Sequence, residues 1–136
     1  MEIVIGNSLD YVLINLIDLK KIHENWIYGE IKLKRELLAY KSPVNLQVID
    51  LENFNMAISQ LIDNRIENAT FYCLEEWLNI IVSKVDNLGH FNLKAVIKNI
   101  DTQTKVEINF EITLQNIIEL KMQIDNFLKN LNFPRK

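Results

Sequence analysis

One cysteine in 136 residues, Cys73, excludes an internal disulfide framework and any zinc site built on several thiolates. A reducing, cytoplasmic setting is the expectation. Two prolines and three glycines leave little to interrupt the chain. Gly6, Gly29 and Gly89 stand far apart, so no glycine-rich loop is available to cradle a phosphate. No linker, low-complexity tract or internal repeat is legible, and one domain over residues 1–136 is expected. Long apolar runs are missing too: "YVLINLI" is about a third of the length that crosses a bilayer, and "MEIVIGNSLD" has neither a basic n-region nor a long apolar h-region. Neither secretion nor a membrane partner is expected. The net charge is only −3, and Lys20, Lys21, Lys32, Lys34 and Arg35 form no stripe unmatched by acids, so nucleic acid is not an expected partner. With two histidines, His23 and His90, metal-ligand spacing is absent: "HENWIYGE" places His23, Glu24 and Glu30 outside the HExxH pattern. No metal or cofactor is expected.

What is present is an ordinary supply of core. Hydrophobic residues make up 49% and charged residues 24%, enough for a chain this long to bury roughly two thirds of its extended surface. In "LENFNMAISQLIDNRI" the residues Leu51, Phe54, Ile58, Leu61 and Ile62 recur at helical spacing, predicting a helix over 51–67 with Asp50 as its cap. Ile117, Leu120, Ile124, Phe127, Leu128 and Leu131 predict a second helix behind Thr113. Elsewhere the period is two. "VEINFEI" sets Val106, Ile108, Phe110 and Ile112 against Lys105, Glu107, Asn109 and Glu111. "HFNLKAVIK" does the same with Phe91, Leu93, Ala95 and Ile97, after a "DNLG" hairpin turn. Further strands are expected near 2–5, 11–18, 26–34, 43–49, 70–75 and 77–85. The expected class is α+β: an antiparallel, meander-like β-sheet with two amphipathic helices packed on one face.

Strand phase then sorts side chains by face. Ile27, Gly29, Ile31 and Leu33 fall inward, which turns Trp26, Tyr28, Glu30, Lys32 and Lys34 to the other side. Phe71, Cys73, Leu78, Ile80 and Val82 also fall inward, leaving Tyr72, Trp77, Asn79 and Ser83 outward. A face mixing tryptophan, tyrosine and carboxylates has the composition of a protein-binding patch. The plainer reading makes Trp26 and Trp77 packing residues at strand ends. Catalytic readings are thin. Glu75 and Glu76 in "CLEEWL" are adjacent and would face opposite sides of a strand, and Cys73 sits at an inward position where a thiol behaves as a small hydrophobe.

Several features, in their order along the chain, resemble the WapI family of polymorphic-toxin immunity proteins over roughly residues 23–131. These are "NW" at Asn25 and Trp26, the amphipathic helix, "ATFYCLEEWLNIIV" with its Phe71, Glu75 and Leu78 spacing, "GHFNLKAVI" with Gly89 and His90, and the strand-to-helix junction at Thr113 and Leu114. The sequence departs from the family's pattern at "TLQN", where an acidic residue is expected near the helix start, and in the unmatched segment that precedes His23. The resemblance implies a non-enzymatic cytoplasmic inhibitor that binds the C-terminal domain of a bacterial toxin. It supplies no catalytic residues. The expected contacts are Trp26, Tyr28, Glu30, Tyr72, Glu75, Trp77, Glu107 and Glu111. Against a nuclease toxin, Glu30, Glu75, Glu107 and Glu111 would occupy the phosphate-binding surface. A small-ligand or regulatory partner-binding module is the alternative, and oligomeric state stays open.

Overall fold

Four strands and a helix, followed by four more strands and a second helix, make up the computed structural model. It describes residues 2–23, 26–73, 77–99 and 101–131, with the backbone alone for 17–23. The elements are β1 (Glu2–Gly6), β2 (Asp10–His23), β3 (Trp26–Arg35), β4 (Leu38–Gln47), α1 (Val48–Ile62), β5 (Asn68–Tyr72), β6 (Leu78–Lys84), β7 (His90–Asn99), β8 (Thr104–Thr113) and α2 (Leu114–Asn130). The class is α+β, as expected, and each run of strands is an antiparallel meander. The strands divide into two sheets, ordered β1-β2-β3-β4 and β5-β6-β7-β8. Alternation reveals which way each side chain faces but not which strands are neighbours, so the single sheet read from the sequence becomes two.

The two halves are copies in burial. Ile3 and Ala69 are both buried, and Ile5 and Phe71, Val44 and Phe110, and Leu46 and Ile112 are buried pairs separated by that same interval. Leu51 and Ile117, Phe54 and Leu120, Ile58 and Ile124, and Leu61 and Phe127 keep it in the helices. Ile14 and Ile80, Ile31 and Ile97, and Ile58 and Ile124 also preserve the residue type. The duplication is therefore written in hydrophobic period more than in letters, which corrects the expectation that the chain holds no internal repeat.

Each helix leaves its own sheet and covers the other. α1 packs against β5, α2 packs against β1, and the helices meet. One apolar cluster runs through both sheets and both helices, with Phe54 edge-on to Phe71 at 5.6 Å between ring centroids. α2 also closes an open sheet edge. The Gln123 side chain donates to the Val4 carbonyl (2.8 Å) and accepts from the Val4 amide (2.7 Å), taking the place of a neighbouring strand.

Local chemistry sets the helix starts. Gln47, not Asp50, is the N-cap of α1. Asp50 stands three residues in and accepts a hydrogen bond from the Gln47 amide at 2.8 Å. Thr113 caps α2 as predicted: its Oγ1 accepts from the Asn116 amide at 3.2 Å, and Asn116 Oδ1 accepts from the Thr113 amide at 3.0 Å. The amide oxygen of Asn116 thus does what the expected acidic residue would do, at the position in α2 that answers to Asp50 in α1. α1 ends at Ile62, short of the predicted 67, and Asn64 then takes a left-handed φ of 62°. β4 begins at Leu38, earlier than predicted, and runs through Pro43 because it is an edge strand whose outward amide has no partner to lose.

Candidate functional site

The outward faces of the two sheets carry Trp26, Tyr28, Glu30, Tyr72, Glu107 and Glu111, and Trp77 stands just before β6. In β3 the phase is as read from the sequence: Ile27, Ile31 and Leu33 are fully buried, while Trp26 and Glu30 are half-buried and Tyr28 is 44% exposed. On the adjacent edge strand Asn45 lies opposite Tyr28 and Pro43 opposite Glu30. Both of these residues line a groove of about 350 Å³ together with Ser42, Trp77, Lys98, Asn99 and Asp101. Trp77 is partly buried against the core, and its carbonyl accepts a hydrogen bond from the Lys98 amide at 2.8 Å. Trp26, Tyr28 and Glu30 therefore continue across Pro43 and Asn45 to Trp77, joining the end of one sheet to the other. Sequence reasoning missed Pro43, Asn45 and Lys98 as members of this surface. Their signal was the edge position of Pro43, which only strand order makes visible.

Tyr72, Glu107 and Glu111 belong to a different face. Cross-strand register places Tyr72, Asn79, Val96 and Glu107 in one row, and Asn68, Ser83, Asn92 and Glu111 in another, on the outer side of the second sheet. Tyr72 is 62% exposed. Glu107 lies 3.6 Å from the Lys94 ammonium and 3.8 Å from that of Lys105, so its charge is largely offset. Of the acids expected to face a nuclease, Glu30 stands on the first sheet and Glu107 and Glu111 on the second. Glu30 shares its face with Lys32, Lys34 and Lys41, where the Lys32 ammonium stands 5.7 Å over the Tyr11 ring. Glu75 lies outside the described residues, as do Glu24 and Glu76.

The remaining chemistry is sparse. His90 Nδ1 is 2.7 Å from Asp86 Oδ2 across the "DNLG" turn. The hydrogen bond and the charge of Asp86 raise the imidazole above its usual 6.5, and the same hydrogen bond lowers the Asp86 carboxyl. Burial raises Asp50 against the opposing hydrogen bond from Gln47. Asp86 lines a groove of about 300 Å³ with Asn64, Lys84 and Phe91, whereas Asp50 stands apart on α1. Cys73 is buried, its Sγ 3.7 Å from the Leu78 carbonyl oxygen. Among the described residues no three His, Cys, Asp or Glu side chains gather as metal ligands, and no helix is long and apolar enough to cross a membrane. A larger groove of about 690 Å³ runs between β1 and α2, its wall mostly apolar by area and carrying the polar groups of Glu119, Gln123, Asp125, Asn126 and Lys129.

A family model described as the immunity protein WapI-like family matches residues 3–132, so the match takes in most of the segment before His23 that the sequence resemblance left out. No curated protein matches the chain. Solved structures with similar folds include WHY3 from Arabidopsis thaliana, at a TM-score of 0.58 and 12% identity, covering 96% of this chain and 88% of that one. A guideRNA-binding protein complex bound to a gRNA gives 0.55 and 16%, covering 99% and 93%. MRP1/MRP2 of Trypanosoma bruciei gives 0.54 and 16%, covering 99% and 87%. At these identities the likeness is one of fold.

Proposed function

The chain belongs to the WapI-like immunity protein family, and from that premise we propose that it binds and neutralises the C-terminal toxin domain of a bacterial polymorphic toxin in the cytoplasm of the cell that makes both. The family match over nearly the whole chain carries the reading. The proposed contact surface is Trp26, Tyr28 and Glu30 with Pro43, Asn45 and Trp77. Aromatic side chains there offer large contact area for little rotamer entropy, on a sheet held rigid by its core. The second face, with Tyr72, Glu107 and Glu111, is the competing location. A charge-mimicking mechanism against a nuclease has less support, because Glu107 is paired and Glu30 stands among lysines. Neutralisation of this kind uses no cofactor and no chemical step.

The test is co-expression with the toxin domain encoded immediately upstream, scored by cell survival and co-purification. Wild type is expected to rescue growth and co-purify in a stoichiometric complex. Tyr28→Ala and Trp77→Ala should weaken the complex by about 2 kcal/mol, roughly thirtyfold in Kd, with unchanged circular dichroism. Loss with Tyr72→Ala alone would move the site to the second sheet. Unrelieved killing with no complex overturns the toxin pairing. A nucleic-acid reading draws on Lys32, Lys34 and Lys41 and on the fold shared with a gRNA-binding complex. It requires salt-steep binding, and an absent mobility shift with single-stranded RNA sets it aside.

A further inference from the structure

Four sheet edges need protection from unwanted strand pairing, and three of them have it. α2 seals β1 through Gln123, α1 lies against β5, and Pro43 removes an outward amide from β4. β8 has none of these devices, its further contact being with β3 of the other sheet. It is ten residues long, carries no proline, and pairs only with β7 among the described residues. Its counterpart of Pro43, set by the interval that relates Val44 to Phe110, is Asn109. Chirality ties side-chain direction to amide direction along a strand. The outward residues Lys105, Glu107, Asn109 and Glu111 therefore point their backbone groups to the open edge, as Pro43 does in β4.

We propose that this edge joins a second copy of the chain, β8 against β8, into one continuous antiparallel sheet about a two-fold axis. The charges choose the register. Centred on Ile108, the pairing sets Lys105 opposite the second copy's Glu111 and Glu107 opposite its Asn109, and the symmetry repeats both pairs. Centred on Asn109, it would set Glu107 against Glu111, placing like charges face to face. The first register also sets Val106 opposite the second copy's Phe110. Val106 is only partly buried, whereas Ile108, Phe110 and Ile112 on the same face are buried. Glu111 makes no salt bridge among the described residues and acts only through its charge on His90, and Lys105, 3.8 Å from Glu107 within its own chain, would turn to the second copy's Glu111. The inference does not depend on the toxin reading, since it concerns the chain alone.

Sedimentation equilibrium of the purified full chain tests it. Wild type should sediment at twice the 16.0 kDa chain mass. Asn109→Pro should shift it to monomer, because β4 shows that proline fits such an edge. Lys105→Glu should weaken dimerisation about tenfold by facing like charges, and Lys105→Glu/Glu111→Lys should restore it. Circular dichroism establishes that each variant is folded. A wild-type monomer at every soluble concentration, or a dimer unmoved by all three variants, overturns the proposal. A monomer whose toxin complex is weakened by Asn109→Pro also overturns it, and assigns the edge to a strand of the toxin instead.

Discussion

His90 and Asp86 meet at the surface in contact with water, so their pairing is read through titration and not through stability. With its folded value raised above 6.5, the histidine's contribution is fully present below that value and is lost as pH rises through the folded pKa. Asp86, lowered from 3.8, contributes above 3.8, and that contribution is lost as pH falls through its folded value. The pair is therefore favoured most between about pH 4 and 6.5. Proton NMR should find His90 titrating above 6.5, and Asp86→Asn should return it toward that value; an unmoved titration would show the pair does not form. Gly29 offers a steric test. A β-carbon there would lie 2.2 Å from the Asn15 carbonyl oxygen, at the bulged pairing of β2 with β3. Backbone cannot retreat as a side-chain tip can. Gly29→Ala should cost roughly 1–3 kcal/mol in denaturant unfolding.

Among the elements, α2 is held by groups that can be removed singly. Thr113→Ala takes away half of the capping box and should cost about 1 kcal/mol. Gln123→Ala leaves both backbone groups of Val4 unpartnered and should cost about 1–2 kcal/mol. Amide hydrogen exchange at Val4 should accelerate in that variant and in no conservative change on the exposed face of α2. Facing was legible in the sequence because period two is a property of each strand alone. Phe71, Cys73, Leu78, Ile80 and Val82 are all buried as read. Partnership was not legible, because it depends on which apolar faces meet between distant halves of the chain, and Ile5 and Phe71 share hydrophobicity without sharing a shape. For the same reason Tyr28 and Trp77, read as one face of one sheet, come together only across a groove between two. Gln123 was invisible as a strand substitute because a helical glutamine usually faces water.

In the molecule as a whole, each half supplies the helix that covers the other, so neither sheet completes its core alone. Unfolding should then be a single transition. Trp26 reports on the first sheet and Trp77 on the approach to the second, so Trp26→Phe and Trp77→Phe leave one fluorophore in each half. Coincident melting curves from the two variants are expected, and separated midpoints would mean that the halves are independent. The exchange of helices also has a consequence for the order of synthesis. The bonds that close the edge of β1 join residues 119 positions apart, which at roughly 5–20 residues per second is about 6–24 s of translation. For that interval a nascent chain carries an adhesive ribbon, which only the emergence of α2 silences.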